Sequence, residues 1–435
     1  MKLSVNLKEL MNIITKKSND KAFRMKITKT IFFFILSKGV AFLAPLILIG
    51  YVSLLEYGKI EYSYGLGRLL YGCALLGIGG AYPYFMLKKQ ETNKEMYFYL
   101  YGLVGFIASI IFIILKSILF VKEEILFTFL FTFIFAFQGL YSGILKTEDK
   151  GYKGVMFDSG YYFLLAIIIS LHAFIPTLPI VQVLMWGMWL NIIAYSIYFT
   201  FRFHAIKKNK KQAFVWFEVG EIVKFGLPLV LSGFIMYWLT SCARVYIGYF
   251  LDYESVGIYS FYFRLVGISV VIQQFLYIAF FKKLYMGESA FLDKYYVAVM
   301  ILIFISCLII SFISIPVVRH FMPNKDFSDI RLMILLSIQM PVWVGISFCE
   351  GLTARENMVA IMNMRLVFIV ALFALFLVLM QKHLDLYIFT MGMIAQFCLA
   401  FCLQLYTLKR RGVILNKCMT INVIFLLLGI ITYIV

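Results

Sequence analysis

Five basic residues stand inside stretches of sequence that are apolar enough to cross a membrane: Lys38, Arg68, Arg244, Arg264 and Arg365. A charged side chain within hydrocarbon costs at least ~2.5–3.5 kcal/mol, so it persists where it lines a wet cavity or has a partner. Because few carboxylates accompany these cations in the sequence, the set indicates a cavity that binds an anion.

Two of these arginines are expected to face each other. Arg244 and Arg264 each lie ten residues from Glu254, which stands in the turn between two spans. At a rise of ~1.5 Å per residue, both lie roughly 15 Å along their helices from that turn. Two arginines at one depth repel each other unless an anion lies between them. The planar guanidinium suits a phosphate, because it can bond two oxygens at once.

Arg68 and Lys38 complete the predicted anion site. Arg68 lies twelve residues beyond Glu56, in a matching hairpin whose acidic loop we expect to hold Glu56 and Glu61. Lys38 lies ten residues into the apolar run that begins at residue 28, near the midplane. The four cations are predicted to be unpaired and to bind the substrate.

Three other charged residues are candidates for gating or ion coupling. Glu350 and Arg365 straddle a turn near Asn357 at matching depth, which predicts an internal ion pair, with a gating or coupling role as the alternative. Asp158 lies at the start of the fifth span. It is expected to be an N-cap of that helix, although it could equally bind a coupling cation or proton.

The elements that must position these residues are membrane-spanning helices. Of the 435 residues, 63% are hydrophobic and 14% are charged, whereas soluble domains are about 45–50% apolar and about 25% charged. The net charge is +18, and most of the charged residues lie between the apolar runs. This arrangement is typical of the basic residues on cytoplasmic loops that set the orientation of a membrane protein. We therefore expect no nucleic-acid partner.

Thirteen apolar runs are long enough for a helical span. The last is short and lacks a C-terminal flank, so whether it spans fully is left open. The runs are 28–52, 62–86, 97–120, 124–146, 156–176, 179–202, 224–250, 256–281, 296–318, 330–353, 358–381, 385–408 and 418–435. The expected fold is all-α: a polytopic membrane protein with 12 to 13 transmembrane helices in two six-helix pseudo-repeat bundles around a central cavity.

Charge in the connecting segments sets the expected orientation. Every second loop is rich in Lys and Arg, as in 88–94, 207–211 and 409–417, and the N-terminal segment is basic. By the positive-inside rule the N-terminus is cytoplasmic. The segments and bundles are expected at 1–27 (cytoplasmic N-terminal segment), 28–202 (first bundle), 203–223 (cytoplasmic connecting loop), 224–408 (second bundle) and 409–435 (basic cytoplasmic turn and additional helix).

A weak internal repeat supports the two halves. LLEYGKIEYSYGLGRLL and YESVGIYSFYFRLVG each place an acidic turn and a glycine, Gly58 or Gly257, before a tyrosine-rich helix that carries an arginine. Paired repeats of this kind commonly rock around a central site.

The four histidines form no metal spacing or catalytic triad, and the chain has no P-loop motif. We therefore expect no enzymatic activity, cofactor or metal.

The same stretches resemble the Wzx-type polysaccharide flippases of the MOP (multidrug/oligosaccharidyl-lipid/polysaccharide) superfamily. The likeness lies in APLILIGYVSLLEYG, in LGIGGAYPYFMLKK, and in FGLPLVLSGFIMYWLTSCARVYIGYFLDYESVGIYSFYFRLVG. The last contains Gly-Leu-Pro, a late arginine and Val-Gly-x-Tyr-Ser. Family members often have Asp-Arg where this chain has Ala243-Arg244, which leaves Arg244 freer to bind an anion and puts cation coupling there in doubt.

The resemblance implies a flippase for an undecaprenyl-diphosphate-linked oligosaccharide in the bacterial inner membrane, acting in the assembly of O-antigen or a related surface polysaccharide. It implies membrane lipids as surroundings, coupling to a proton or sodium gradient as an option, and a polysaccharide polymerase and a chain-length regulator as candidate partners. A cation-coupled multidrug exporter of the same superfamily is the alternative, and would favour an acidic cavity. A polymerase or ligase is a further alternative, and would need a large periplasmic loop.

Overall fold

The computed structural model describes residues 21–148, 150–210, 213–285, 287–321, 327, 329–356 and 358–435. In these ranges the chain is helical with no strand. Most of the predicted N-terminal segment, the turn residue Asn357 and the loop residue Lys211 lie outside the described residues. The fold class predicted from composition, all-α, is confirmed.

Seventeen α-helices follow one another in the described part of the chain. They are α1 Lys21–Leu48, α2 Leu54–Leu75, α3 Ile78–Pro83, α4 Glu95–Tyr99, α5 Tyr101–Ser117, α6 Glu123–Thr147, α7 Gly151–Asp158, α8 Gly160–Phe174, α9 Ile180–Lys210, α10 Trp216–Ser241, α11 Ala243–Phe250, α12 Tyr253–Tyr285, α13 Ser289–Phe321, α14 Ile330–Arg355, α15 Val359–Met380, α16 Leu386–Lys409 and α17 Asn416–Ile434. A π-helical turn, Tyr84–Lys88, and a 3₁₀ turn, Thr92–Lys94, link α3 to α4.

These helices make the chain a multi-pass membrane protein. Within the described residues, nine helices are long and apolar enough to cross a membrane, or up to eleven if each of two bent pairs is one span. Each of the thirteen predicted runs overlaps a helix. The run left open, 418–435, falls on α17, whose 19 residues are long enough to span.

The protein core lies around α6 and α14. Of the most apolar 18-residue stretch of each helix, 72% is buried inside the protein in α6 and 83% in α14. The corresponding share is 22–50% in the other seven described helices that are long and apolar enough to cross a membrane. Phe127, Phe131 and Phe135 recur every fourth residue on α6 and are fully buried, so they form one continuous face of that helix. Gly67 on α2 packs on this face, since a Cβ there would lie 2.5 Å from the Cβ of Phe131.

The two repeat motifs meet directly at their glycines. A Cβ built on Gly58 would lie 1.6 Å from the carbonyl oxygen of Tyr253, the first residue of α12. A Cβ built on Gly257 would lie 2.8 Å from the carbonyl oxygen of Leu54, the first residue of α2. The helix starts therefore touch backbone to backbone, which only glycine permits. This reciprocal contact joins α2 to α12 at the end of the molecule that carries the acidic turns, and we call this the closed end.

In three of the predicted apolar runs the helix is broken, although the hydropathy of the sequence shows no interruption there. The second bends by 49° at Leu76 and Gly77, both with positive φ. The fifth bends by 54° between α7 and α8. The seventh is divided at Cys242 into α10 and α11. The expected loop 203–223 is also shorter, because α9 runs to Lys210 and α10 starts at Trp216.

Candidate functional site

The four cations predicted to bind an anion line one cavity. It has a volume of about 340 Å³ and lies between α1, α2, α10, α11, α12 and α14. Lys38 comes from α1, Arg68 from α2, Arg244 from α11 and Arg264 from α12. Its other lining groups include Tyr64, Tyr237, Ser241, Phe263 and Trp343. Residues far apart in sequence thus converge as expected, while anion binding itself stays a prediction.

The expectation that all four cations are unpaired is wrong, because Glu61 lies between two of them. Its Oε1 accepts hydrogen bonds from Arg264 Nη2 at 2.6 Å and Nε at 3.0 Å, and its Oε2 lies 2.9 Å from Arg244 Nε. The Glu61 side chain is 3% exposed. The facing arginines do share an anion, as their equal depth requires, but that anion is a carboxylate of the chain itself.

Glu61 had been expected in an outer loop, but it lies in the second turn of α2. Ser53 and Glu56 form a capping box that starts this helix early: Ser53 Oγ accepts from Glu56 N at 3.1 Å, and Glu56 Oε2 accepts from Ser53 N at 2.9 Å. The repeat contained a signal that was missed. Both Glu61 and Ser260 stand three residues after a repeat glycine, and Ser260 Oγ also accepts from Arg244, at 3.0 Å.

Tyr64 is a second residue that sequence reasoning missed. Its ring centroid lies 5.8 Å from the guanidinium of Arg68, 5.7 Å from that of Arg244 and 5.6 Å from that of Arg264. Tyr162 Oη donates to Tyr64 Oη at 2.7 Å, which fixes the ring. An aromatic face within about 6 Å of a cation attracts it. Tyr64 therefore reduces the repulsion among three arginines that surround one cavity.

Arg68 and Lys38 have no ion-pair partner among the residues that the structure describes. Arg68 is held by aromatic faces, with its guanidinium 4.2 Å from the ring centroid of Phe135 and 5.9 Å from that of Tyr71. Lys38 is half-buried, with its Nζ 5.7 Å from the ring centroid of Phe34. Stacking positions these two charges without neutralising them, so they are the cavity's available cations.

The predicted ion pair between Glu350 and Arg365 does not form. Arg365 Nη1 instead donates to Thr407 Oγ1 on α16, at 2.5 Å. Glu350 faces a separate cavity of about 180 Å³, which Thr353 and Gln404 also line. Arg365 thus bonds a group on a helix outside its own hairpin, which matching depth in the sequence could not reveal. A gating or coupling role for either stays a prediction.

Asp158 is not the N-cap that the sequence favoured. It is the last residue of α7, and Ser159 occupies the junction before α8. Its Oδ2 accepts from Lys146 Nζ at 2.9 Å. The break in the fifth run accounts for the difference, since the helix starts at Gly151 rather than near Asp158. Whether Asp158 binds a coupling cation stays a prediction.

Comparisons with known proteins add little to this site. No protein-family model matches the chain, and no curated protein matches it. Among solved structures, the chain is similar to an inward-facing conformation of a multidrug resistance MATE family transporter of the MOP superfamily. The TM-score is 0.41 and the identity 14%, over 92% of this chain and 94% of that one. A likeness this remote says nothing of what this chain does, and its function has to be inferred from the cavity.

Proposed function

We propose that the protein is a flippase that carries an oligosaccharide linked to undecaprenyl diphosphate from the cytoplasmic to the periplasmic leaflet of a bacterial inner membrane. The supporting observation is the cavity lined by Lys38, Arg68, Arg244 and Arg264. Glu61 pairs with two of them, Arg244 and Arg264, so four positive charges against this one carboxylate leave a formal excess of three. A diphosphate that leaves water needs such compensation, because an uncompensated buried charge is very costly.

The cations divide into two pairs. Glu61 holds Arg244 and Arg264, while Arg68 and Lys38 carry no carboxylate in the described part of the chain. We assign the first contact with the diphosphate to Arg68 and Lys38. Arg68 lies seven residues beyond Glu61 on α2, farther from the acidic turn. At ~1.5 Å per residue, that places it about 10 Å deeper along the helix.

The closed end defines the proposed direction of entry. The contact of Gly58 with Tyr253 lies on the side of the acidic turns, and Glu61 lies one turn deeper on α2. With the N-terminus cytoplasmic, as the loop charges favour, this closure faces the periplasm. The cavity beyond it is then placed to receive substrate from the cytoplasmic leaflet.

We propose that translocation exchanges one anion for another. The diphosphate moves from Arg68 and Lys38 to Arg244 and Arg264 and replaces the Glu61 carboxylate between them. Each arginine stays paired throughout, so no guanidinium is left buried and alone, and the displaced Glu61 carboxylate becomes hydrated as the periplasmic end opens. Loss of the contact between Glu61 and Arg264 releases α2 from α12, and the periplasmic end opens.

The cavity charge weighs against the two alternatives. A net positive cavity repels the cationic drugs that a multidrug exporter of this kind would carry. A polymerase or ligase would need a large outer loop, whereas the helix bounds leave only short segments on that side, such as 49–53, 118–122 and 381–385. The cavity that Glu350 lines carries one carboxylate but is smaller, at about 180 Å³ against about 340 Å³ for the cationic cavity.

Reconstitution of the full-length protein tests the proposal. Proteoliposomes would carry a fluorescent undecaprenyl-diphosphate oligosaccharide, and a membrane-impermeant quencher would report its transfer between leaflets. We expect transfer by the wild type and at least about tenfold slower transfer by Arg68→Ala and Lys38→Ala, equivalent to ~1.4 kcal/mol. Arg410→Ala, which removes an exposed cation far from the cavity in sequence, is the matched control.

Two outcomes would reject the proposal. One is export of a cationic dye without movement of the labelled lipid, which would identify a drug exporter. The other is an unchanged transfer rate in a folded Arg68→Ala, Lys38→Ala double variant, which would remove the cavity cations from the mechanism.

A further inference from the structure

An apolar groove opens from the cationic cavity at Arg68. The glycine groove, as we name it, is a cavity of about 270 Å³ between α2, α3 and α10, lined by Gly72, Gly80, Gly233, Leu75, Leu229 and Phe234. Arg68 and Tyr237 line both the groove and the cationic cavity. A ligand that fills both would therefore have its anion at Arg68 and its apolar part in the groove.

Two glycines of the groove, Gly72 and Gly233, leave space in it instead of allowing helices to touch. A Cβ built on Gly233 would have no heavy atom within 4 Å, and one on Gly72 would meet only Val230 Cγ1, at 4.0 Å. Glycine in membrane helices commonly permits close helix packing. Gly77 illustrates that use, since its Cβ would lie 2.2 Å from the carbonyl oxygen of Gly226. At Gly72 and Gly233 the missing side chains instead leave unfilled space.

The groove is open on the side of Gly80, Leu229 and Gly233, and the contact of Gly77 with Gly226 obstructs the end that lies away from Arg68. Leu229 is 46% exposed, and Gly80 and Gly233 are also exposed, so the groove is open along this side of the helices. The backbone contact of Gly77 with Gly226 crosses between α2 and α10 farther from Arg68. Leu75, Leu229 and Phe234 offer no hydrogen bond, so a sugar or nucleotide would find no polar partner on them.

We infer that the glycine groove binds the first isoprenyl units of the substrate while Arg68 holds the diphosphate. The inference rests on the proposed function and names where the lipid leaves the protein, between α2 and α10. The groove supplies apolar contact beside the charge site, and the remaining chain extends into the bilayer. Arg68 thus fixes the position of the diphosphate relative to its lipid tail.

Ligand binding to the full-length protein in nanodiscs tests this inference. The probes are inorganic diphosphate, which lacks a tail, and farnesyl diphosphate, which carries three isoprenyl units. The wild type should bind farnesyl diphosphate at least about tenfold more tightly, because burial of a few CH₂ groups contributes that much. Gly233→Leu and Gly72→Leu should lose this preference and still bind inorganic diphosphate as the wild type does.

The control is Gly151→Leu, since a Cβ at Gly151 also has no heavy atom within 4 Å and the residue lies outside the groove. It should keep the full preference for farnesyl diphosphate. Preserved preference in both groove variants, or equal competition by phosphatidic acid, would overturn the groove assignment and leave the flippase proposal standing. A wild type that binds neither diphosphate would overturn both.

Discussion

Glu61 on α2 and Arg264 on α12 form a buried ion pair between residues 203 positions apart in the chain. Two guanidinium nitrogens donate to Glu61 Oε1, at 2.6 and 3.0 Å, and the side chains are only 3% and 11% exposed. Loss of one member of such a pair leaves the other buried and uncompensated. The contact therefore stabilises the closed end and also occupies the position that we assign to the substrate anion.

The first prediction concerns Glu61→Gln. The amide cannot neutralise Arg244 and Arg264, so we expect the unliganded protein to lose roughly 3–5 kcal/mol of stability, the usual effect of breaking a buried pair. The freed arginines should then bind external diphosphate more strongly. Thermal unfolding of the purified protein, with and without inorganic diphosphate, should show lower stability and a larger diphosphate-induced rise in Tm than in the wild type.

Glu56→Gln is the matched control for that experiment. Glu56 lies on the same helix but is exposed and belongs to the capping box, so its loss should cost about 1 kcal/mol and leave the effect of diphosphate unchanged. An equal diphosphate-induced rise in Tm in wild type and Glu61→Gln would show that Glu61 does not compete with the anion.

The site could be predicted only in part, and Glu61 shows why. Charges inside apolar runs stand out locally, so Arg68, Arg244 and Arg264 were found from the sequence. Glu61 stands just before the run 62–86 and has acidic Glu56 nearby, so its local pattern is that of a loop. Its partners follow about 180 and 200 residues later, and no periodicity along one helix reports such a contact.

The helices were predictable but their breaks were not. A hydropathy pattern reports the length of an apolar run, whereas the backbone can turn within it without any change in composition. Leu76 and Cys242 are themselves apolar at their breaks, so the runs 62–86 and 224–250 appear continuous. The predicted pair of Glu350 with Arg365 failed for a related reason, because helix depth alone does not determine which neighbouring helix a side chain faces.

Arg68 provides the second prediction. Since Arg68 has aromatic contacts but no ion pair in the described structure, Arg68→Ala should cost only about 0.5–2 kcal/mol of stability. Its affinity for inorganic diphosphate should fall at least about tenfold, which calorimetry would measure. Arg68→Lys keeps the charge but loses the planar fork, so its affinity should be intermediate. Unchanged affinity in Arg68→Ala would exclude Arg68 from the anion site.

The third prediction concerns the closed end. Gly58→Ala places a methyl group 1.6 Å from the carbonyl oxygen of Tyr253, so α2 and α12 must separate. We expect a loss of about 1–3 kcal/mol in unfolding free energy, as overpacking usually causes. Gly39→Ala is the control, because a Cβ at Gly39 has no heavy atom within 4 Å. A Gly58→Ala protein as stable as Gly39→Ala would contradict the backbone contact.

The last prediction uses double-mutant cycles to compare two pairs of charged residues: one that the structure shows in contact and one that only the sequence predicted. Glu350 and Arg365 do not contact each other, since Arg365 bonds Thr407 and Glu350 faces another cavity. Glu350→Gln and Arg365→Gln should therefore have additive effects on unfolding free energy, within about 0.5 kcal/mol. The same cycle with Glu61→Gln and Arg264→Gln should give a coupling energy of about 1–3 kcal/mol, as contacting residues do. Strong coupling in the first cycle would restore the ion pair that the sequence predicted, and additivity in the second would remove Glu61 from the closure of the cavity.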